Sequence, residues 1–348
     1  MMTSMNVLSD VSRPWLALSL LPGVGSATLR AIHASGQWDR RADSLWALAH
    51  DLNISRLAKA LETQGALRRA EQEALAQVKM AIRYNARIIS ALDEDFPTHL
   101  LSSRYNPFLL FVRGQLAAPN TRALAIVGTR KPTDSGKSLA RQLGREAGEN
   151  GWSVVSGLAL GCDAAAHKGA LEGNGHTVAV MAHGLHTVEP SRHQDLAREI
   201  LAKGGALVSH FSFGVEAEPK YFVQRDAIQS GMSEGVAMVQ SDINGGSLHA
   251  VRAALADNRW VWVAPVSAQD LKQPDRPAAG VVRANEILLG NNEEEKRMML
   301  RRKEGESIEG ILPSGTPFPA GNATHEHQAQ PPEEAPPPST TVSPVRSP

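Results

Sequence analysis

Ala125-Ile126-Val127-Gly128-Thr129-Arg130-Lys131-Pro132-Thr133-Asp134-Ser135-Gly136 reads as an apolar strand that stops at a glycine. A small hydroxyl residue, two adjacent cations and a helix start follow it. Backbone N–H groups at such a turn and at a helix N-terminus point outward and favour anions. Arg130 and Lys131 add formal charge at the same place, so a phosphate-bearing ligand is the first expectation. The plain alternative is an ordinary strand-to-helix turn with two solvated cations. A second glycine-rich turn, Ser156-Gly157-Leu158-Ala159-Leu160-Gly161-Cys162-Asp163, arrives after one helix and one strand and argues for the phosphate reading.

Working outward, apolar runs alternate with amphipathic ones from about residue 86 to 290. The runs Ala86–Leu92, Leu109–Val112, Ala123–Val127, Ser153–Ser156, Thr177–Met181, Ala206–Ser209, Gly235–Val239 and Trp260–Ala264 read as strands. Helical patterns fill most gaps: Gly136–Asn150, Asp163–Gly173, Ser191–Lys203, Pro219–Ser230 and Ser247–Asp257. Short strands buried on both faces and separated by helices predict an α/β fold, a Rossmann-like doubly wound sheet. Ligands in such sheets sit at the carboxyl ends of the strands, where the glycine turns fall.

Before this region, residues 12–84 are rich in Leu, Ala, Arg and Glu with helical periodicity, and predict a small all-α domain. Within it, Leu21-Pro22-Gly23-Val24-Gly25 has the form of a helix–hairpin–helix (SAM-like) turn, whose N–H groups can face a DNA phosphate or simply join two core helices. From 291 to 348 the pattern fails: charge blocks Glu293–Glu295 and Arg301–Lys303 give way to Pro-rich segments with few large apolar residues. That composition predicts a disordered tail.

Formal charge is balanced at 36 cations and 36 anions, so no global basic field advertises nucleic acid; the acidic tail leaves the rest weakly basic. The single cysteine, Cys162, excludes an internal disulfide and a cysteine zinc cluster and fits a reducing compartment. No apolar run approaches ~18 residues and no signal-peptide pattern opens the chain, so a cytoplasmic protein is expected.

A third loop, Asp242-Ile243-Asn244-Gly245-Gly246-Ser247, again follows a strand and opens a helix, and with the first two predicts one anion pocket. Asp163 suits an N-cap as well as a catalytic role, and His167 either faces the ligand or packs. Cys162 reads as a small space-filling residue. His183 and His186 lack carboxylate support at ligand spacing, and no serine sits in a nucleophile elbow, so neither a metal, a cofactor nor covalent catalysis is expected.

These residues resemble the DprA (Smf) family, DNA-processing factors of bacterial transformation and recombination. The likeness spans most of residues 12–290 and rests on motifs in family order: Pro22-Gly23-Val24-Gly25, Pro107-Phe108-Leu109-Leu110, Val127-Gly128-Thr129-Arg130, Ser156-Gly157-Leu158-Ala159, Gly161-Cys162-Asp163 with Ala166-His167, and Gly245-Gly246-Ser247-Leu248. The resemblance implies an extended Rossmann-like fold, a homodimer, single-stranded DNA in a basic pocket, delivery of the strand to the RecA recombinase, and no bond-breaking. It assigns Arg130 a strand phosphate, with Lys131 and the Gly157–Gly161 loop beside it and Lys168 as a further contact. The full set of candidate contacts is Gly128, Thr129, Arg130, Lys131, Ser156, Gly157, Gly161, Lys168, Arg225, Gly245, Gly246 and Ser247.

Departures from the family pattern cluster late. A Phe-Pro followed by Arg-Asn-Arg is here Phe222-Val223-Gln224-Arg225-Asp226, which turns one cation into an acid. Gln240 stands for an acid, Glu189-Pro190 for Tyr-Pro, Ser209-His210 for Ser-Glu and Pro265-Val266 for Pro-Gly; a polar tail stands where many members carry a winged helix. The alternative reading is a nucleotide-binding or nucleotide-hydrolysing protein using the same pocket. For that chemistry Asp163 and Glu234 are the acids near strand ends, and neither lies in a hydrolase motif.

Overall fold

The computed structural model describes residues 7–39, 41–268, 270, 278–302 and 310–312. Five helices come first: α1 (Arg13–Ser19), α2 (Ser26–Ser35), α3 (Ala42–Asp51), α4 (Ser55–Glu62) and α5 (Ala66–Arg83). Then follow β1 (Ala86–Ser90), α6 (Thr98–Leu101), β2 (Leu109–Gly114), β3 (Ala123–Val127), α7 (Asp134–Glu149), β4 (Ser153–Ser156), α8 (Cys162–Glu172) and β5 (Thr177–Val180). The chain continues through α9 (Gln194–Ala202), β6 (Ala206–Ser209), α10 (Pro219–Gly231), β7 (Gly235–Met238), α11 (Ser247–Ala256), β8 (Trp260–Val263), α12 (Ala278–Leu289), α13 (Glu293–Leu300) and β9 (Ile311–Leu312).

The nine strands form one sheet in the order β1-β2-β6-β5-β4-β3-β7-β8-β9. Pairing is parallel from β6 through β9, whereas β2 runs antiparallel to both its neighbours. From β3 the chain winds outward through β4, β5 and β6, then returns to the other side of β3 as β7. The direction of winding therefore reverses between β3 and β7, the place where α/β sheets open a ligand crevice. All residues of β3, β4, β5 and β7 are buried, which matches their small and apolar sequences free of charge, the hydroxyls of Ser156 and Thr177 being bonded to carbonyls of neighbouring strands.

Helices α7 and α8 approach almost backbone to backbone. A Cβ at Gly144 would overlap the Ala166 carbonyl oxygen, and one at Gly169 would overlap that of Arg141. This contact locks the two helices side by side, and both begin beside the strand ends. The N-terminal helices share one apolar cluster with β1 and β2: Trp15 packs 5.0 Å from the Phe108 ring, and Leu16, Leu18 and Ile32 lie in the cluster with Phe111.

The structure departs from the sequence reading after residue 290. Asn292 caps α13 by accepting from the Glu295 N–H at 3.1 Å, and Leu300 is 2% exposed in the core beside β8. Ile311 and Leu312 pair with Val261 and Trp262 as a short edge strand. Charged composition hid one amphipathic turn whose apolar residue is buried and whose start is capped. The rest of the expected tail lies outside the described residues.

Candidate nucleic-acid interface

The three glycine loops meet at the carboxyl ends of β4, β3 and β7. The Thr129 N–H donates to the Gln240 carbonyl at 2.8 Å, and the Cys162 N–H donates to the Thr129 carbonyl at 3.2 Å. Gly128 leaves room for Cys162, whose Sγ lies 2.5 Å from where a Cβ would stand. Gly161, at φ +80°, lies so close to the Thr129 carbonyl that no side chain fits there. Cys162 is fully buried, and burial pushes its thiol far up, so it fills space and is not a nucleophile.

The N-terminus of α7, expected to take a ligand phosphate, already holds a carboxylate of the chain itself. Thr133 Oγ1 accepts from the Gly136 N–H at 3.1 Å, and Gln240 donates to it from Nε2 at 2.8 Å. Thr133 and Ser135 both donate to Asp270 Oδ1, and Gln240 Nε2 reaches the same oxygen at 3.0 Å. Burial works against that charge, but these hydrogen bonds with those of Ser267 hold the Asp270 carboxyl below its usual range.

Arg225 corrects a second expectation. Rather than meeting a ligand, it is 5% exposed and donates from Nη1 to the Gly157 carbonyl at 2.6 Å and to that of Val180 at 3.3 Å. Its guanidinium fills the space a Gly157 side chain would need. Asp226 Oδ1 lies 2.9 Å from Arg225 Nε, and Asp163 Oδ2 lies 3.9 Å from Nη1. Burial raises both carboxyls, Asp226 to about 7, with the Asp163 charge adding to the rise and Arg225 and Arg130 opposing it.

Several other candidates have structural partners. Ser156 donates to the Ile126 carbonyl across to β3 at 2.7 Å. Lys168 is exposed on α8, where its charge acts on Glu172, and is not part of the loop cluster. Thr177 donates to the Val154 carbonyl, so its oxygen accepts from His167 Nδ1 at 2.7 Å and the buried Nε2 is bare; burial pushes this imidazole down to about 3. Ser247 bonds Ser241 at 2.8 Å, Gly245 packs on Ser241, and Gly246 flanks Asp226. Glu234 lies at the opposite end of the sheet, bonded to Arg122 at 2.8 Å. Asp163 accepts from the Ala159 N–H at 3.4 Å.

What faces outward is a cleft of about 430 Å³ with Arg130, Gly157, Leu160, Glu189, Glu216 and Phe222 in its wall. The Arg130 guanidinium lies 4.9 Å above the Phe222 ring centroid. Lys131 is exposed next to it, its N–H donating to Thr129 Oγ1 at 3.2 Å. Sequence reasoning placed Arg130 and Gly157 here but not the walls. Phe222 and Glu189 carried a signal, standing in the altered Phe222–Asp226 and Glu189-Pro190 motifs; Glu216, and Asp270 at the α7 N-terminus, come from separate loops with no local mark. Among the described residues no group of three His, Cys, Asp or Glu side chains could hold a metal ion, and no helix is long and apolar enough to cross a membrane.

The family described as DNA recombination-mediator protein A matches residues 87–277, more than half of the chain. Protein Smf of Escherichia coli is 40% identical over 181 residues, and DNA processing protein DprA of Bacillus subtilis is 35% identical over 178. Those matches cover 52% and 51% of this chain but only 48% and 60% of the relatives. The fold is that of Streptococcus pneumoniae DprA, with a TM-score of 0.54 at 24% identity, covering 71% of this chain and 89% of that one. Helicobacter pylori DprA, whose structure was described for its single-stranded DNA binding mode, superposes with a TM-score of 0.50 at 25% identity, over 58% of this chain and 86% of that one. With the strand order, the glycine loops and the matched span in agreement, this chain belongs to the DNA recombination-mediator protein A family.

Proposed function

We propose that this protein binds single-stranded DNA at the strand-end cleft, in the service of recombination or transformation, without breaking bonds. The observation that carries the reading is the Arg130 guanidinium held over the Phe222 ring at the cleft wall. A cation meets a strand phosphate there, set beside a half-buried aromatic ring that Arg130 and Arg225 both approach, and a cation next to an aromatic side chain is the pairing that sequence-tolerant single-strand binders use. The family, and the H. pylori relative with its single-strand binding mode, support it. A nucleotide-hydrolysing site finds less support, since Asp163 is buried under Arg225 and Glu234 lies at the other end of the sheet. On the same reading the protein works as a homodimer in the cytoplasm and hands its strand to a RecA-type recombinase.

Arg130 and the exposed Lys131 beside it neutralise strand phosphates and release counterions, so affinity should fall as salt rises, while Glu189 and Glu216 in the same wall work against the strand. Fluorescence anisotropy with labelled oligo-dT and a matched duplex, at two salt concentrations, tests the proposal. Tight, salt-sensitive and strand-selective binding is expected. Arg130→Ala should weaken it about tenfold or more, roughly 1.4 kcal/mol. Absence of binding to either DNA at low salt would overturn the reading and direct attention to free nucleotides.

A further inference from the structure

A second cleft, of about 590 Å³, lies between α2 and the end of β6, with Ser26, Arg30, Arg104, Tyr105, Asn106 and His210 in its wall. Its polar character contrasts with a packing defect, and its cations are available. Arg30 Nη2 donates only to backbone, to the Asn106 carbonyl at 3.1 Å and that of Pro107 at 3.5 Å. Arg104 is exposed, and its backbone N–H, not its guanidinium, bonds Asp257 at 2.9 Å. Neither arginine has an ion-pair partner among the described residues. His210 Nε2 donates to Gln224 Oε1 at 3.2 Å, which leaves Nδ1 a bare acceptor, and that atom has no partner.

A run of rings leads from this cleft to α10, the helix that carries Phe222 of the first one. Tyr105 meets His210 edge-on at 6.0 Å between centroids, His210 lies 3.8 Å from Phe211, and Phe211 lies 4.4 Å from Tyr221. Tyr221 is the chain neighbour of Phe222. Helix α10 explains the arrangement: Tyr221 and Gln224, three residues apart, turn toward His210 and Phe211, while Phe222 and Asp226, four apart, turn toward the glycine loops. Tyr105 is 37% exposed, so one end of the run is open to solvent.

We propose that this aromatic run and the Arg30–Arg104 cleft form a second contact zone for the same single strand. Bases leaving the Arg130 site lie along Tyr221, Phe211, His210 and Tyr105, and the next phosphates meet Arg104 and Arg30 at the start of α2. Stacking on rings with cations set beside them is sequence-tolerant and suits a strand of any composition. The helix–hairpin–helix turn thereby serves the strand through the cleft that α2 walls.

The inference rests on single-strand binding at Arg130, and the test separates the two. Two oligo-dT probes are used with the full chain, one of about six nucleotides, enough for one site, and one of about twenty. The Arg104→Ala/Tyr105→Ala variant changes exposed side chains only, and its melting temperature checks the fold. The expected result is unchanged affinity for the short probe and a loss of about tenfold for the long one. The salt slope on the long probe should also fall by about 0.7, one phosphate contact. An iodouracil base placed toward one end of the long probe should crosslink at Tyr105. Unchanged long-probe affinity, or an equal loss for both lengths, overturns the second zone and leaves Arg130 binding intact. If Arg130→Ala and the wild type both fail to bind either probe, the first reading falls and the second with it.

Discussion

Asp226 and Arg225 share one buried site, with the Arg225 charge spent on the Gly157 and Val180 carbonyls and on the two acids beside it. Asp226 is pushed up to about 7 by burial and by Asp163, with Arg225 and Arg130 opposing, so its charge changes near neutral pH. A strand phosphate at Arg130 disfavours the ionised form further, which couples binding to uptake of a proton. Affinity should therefore rise as pH falls from 8 to 6 and level off once the acid is neutral. The gain cannot exceed about tenfold per pH unit. Asp226→Asn imitates the neutral acid and should bind at the tight, low-pH level throughout, which anisotropy titrations at both pH values read out. Folding shifts the same way: the folded-state value is raised, so the contribution of Asp226 to stability is complete below the unfolded value near 4 and is lost as pH rises through 7. The sequence showed that an acid replaced a cation here, and it showed Arg130. It did not show that Arg225 points inward, because burial of an arginine depends on carbonyls 68 and 45 residues away.

At the scale of elements, the loops are held by the close approach of α7 and α8. Gly144 and Gly169 have no room for a methyl group against the facing backbone, and backbone cannot swing aside as a flexible side chain can. Gly144→Ala should cost about 1–3 kcal/mol, read from urea melts. It should weaken oligo-dT binding as well, since the starts of both helices carry the Thr129–Cys162 and Thr133–Gln240 bonds. The strands were legible almost to the residue, because short, mostly apolar runs rich in valine and separated by helical patterns have few other homes in a chain of this kind. Helix α12 escaped, although its Asn285 ties Val239 and Ala264 together through Nδ2 at 2.8 and 3.0 Å. Its sequence resembles a generic apolar helix, and only the sheet's strand ends give the asparagine its role. The polar occupants of the α7 N-terminus were illegible for the same reason, Asp270 lying 137 residues from Thr133.

At the scale of the whole molecule, the helical front and the sheet share a core instead of meeting across a thin surface. Gln77 of α5 donates to the Phe213 carbonyl at 3.2 Å and accepts from its N–H at 2.8 Å, fixing the loop after β6 on the helices. Composition set a helical stretch before a mixed one, and the elements follow that order, but periodicity cannot report which faces are joined. The other flank of the sheet ends differently. Strand β8 reads Trp260-Val261-Trp262-Val263, four uncharged residues of high strand preference. Among the described residues, the pairing of Ile311 and Leu312, with the Gly310 carbonyl accepting from Val261 N–H at 2.8 Å, covers its outer row of peptide groups. Two residues of an otherwise charged and proline-rich C-terminal stretch thus act as a cover on an adhesive edge. A chain ending before Gly310 should keep its cleft yet gather into aggregates at concentrations where the full chain stays dispersed, which light scattering would record.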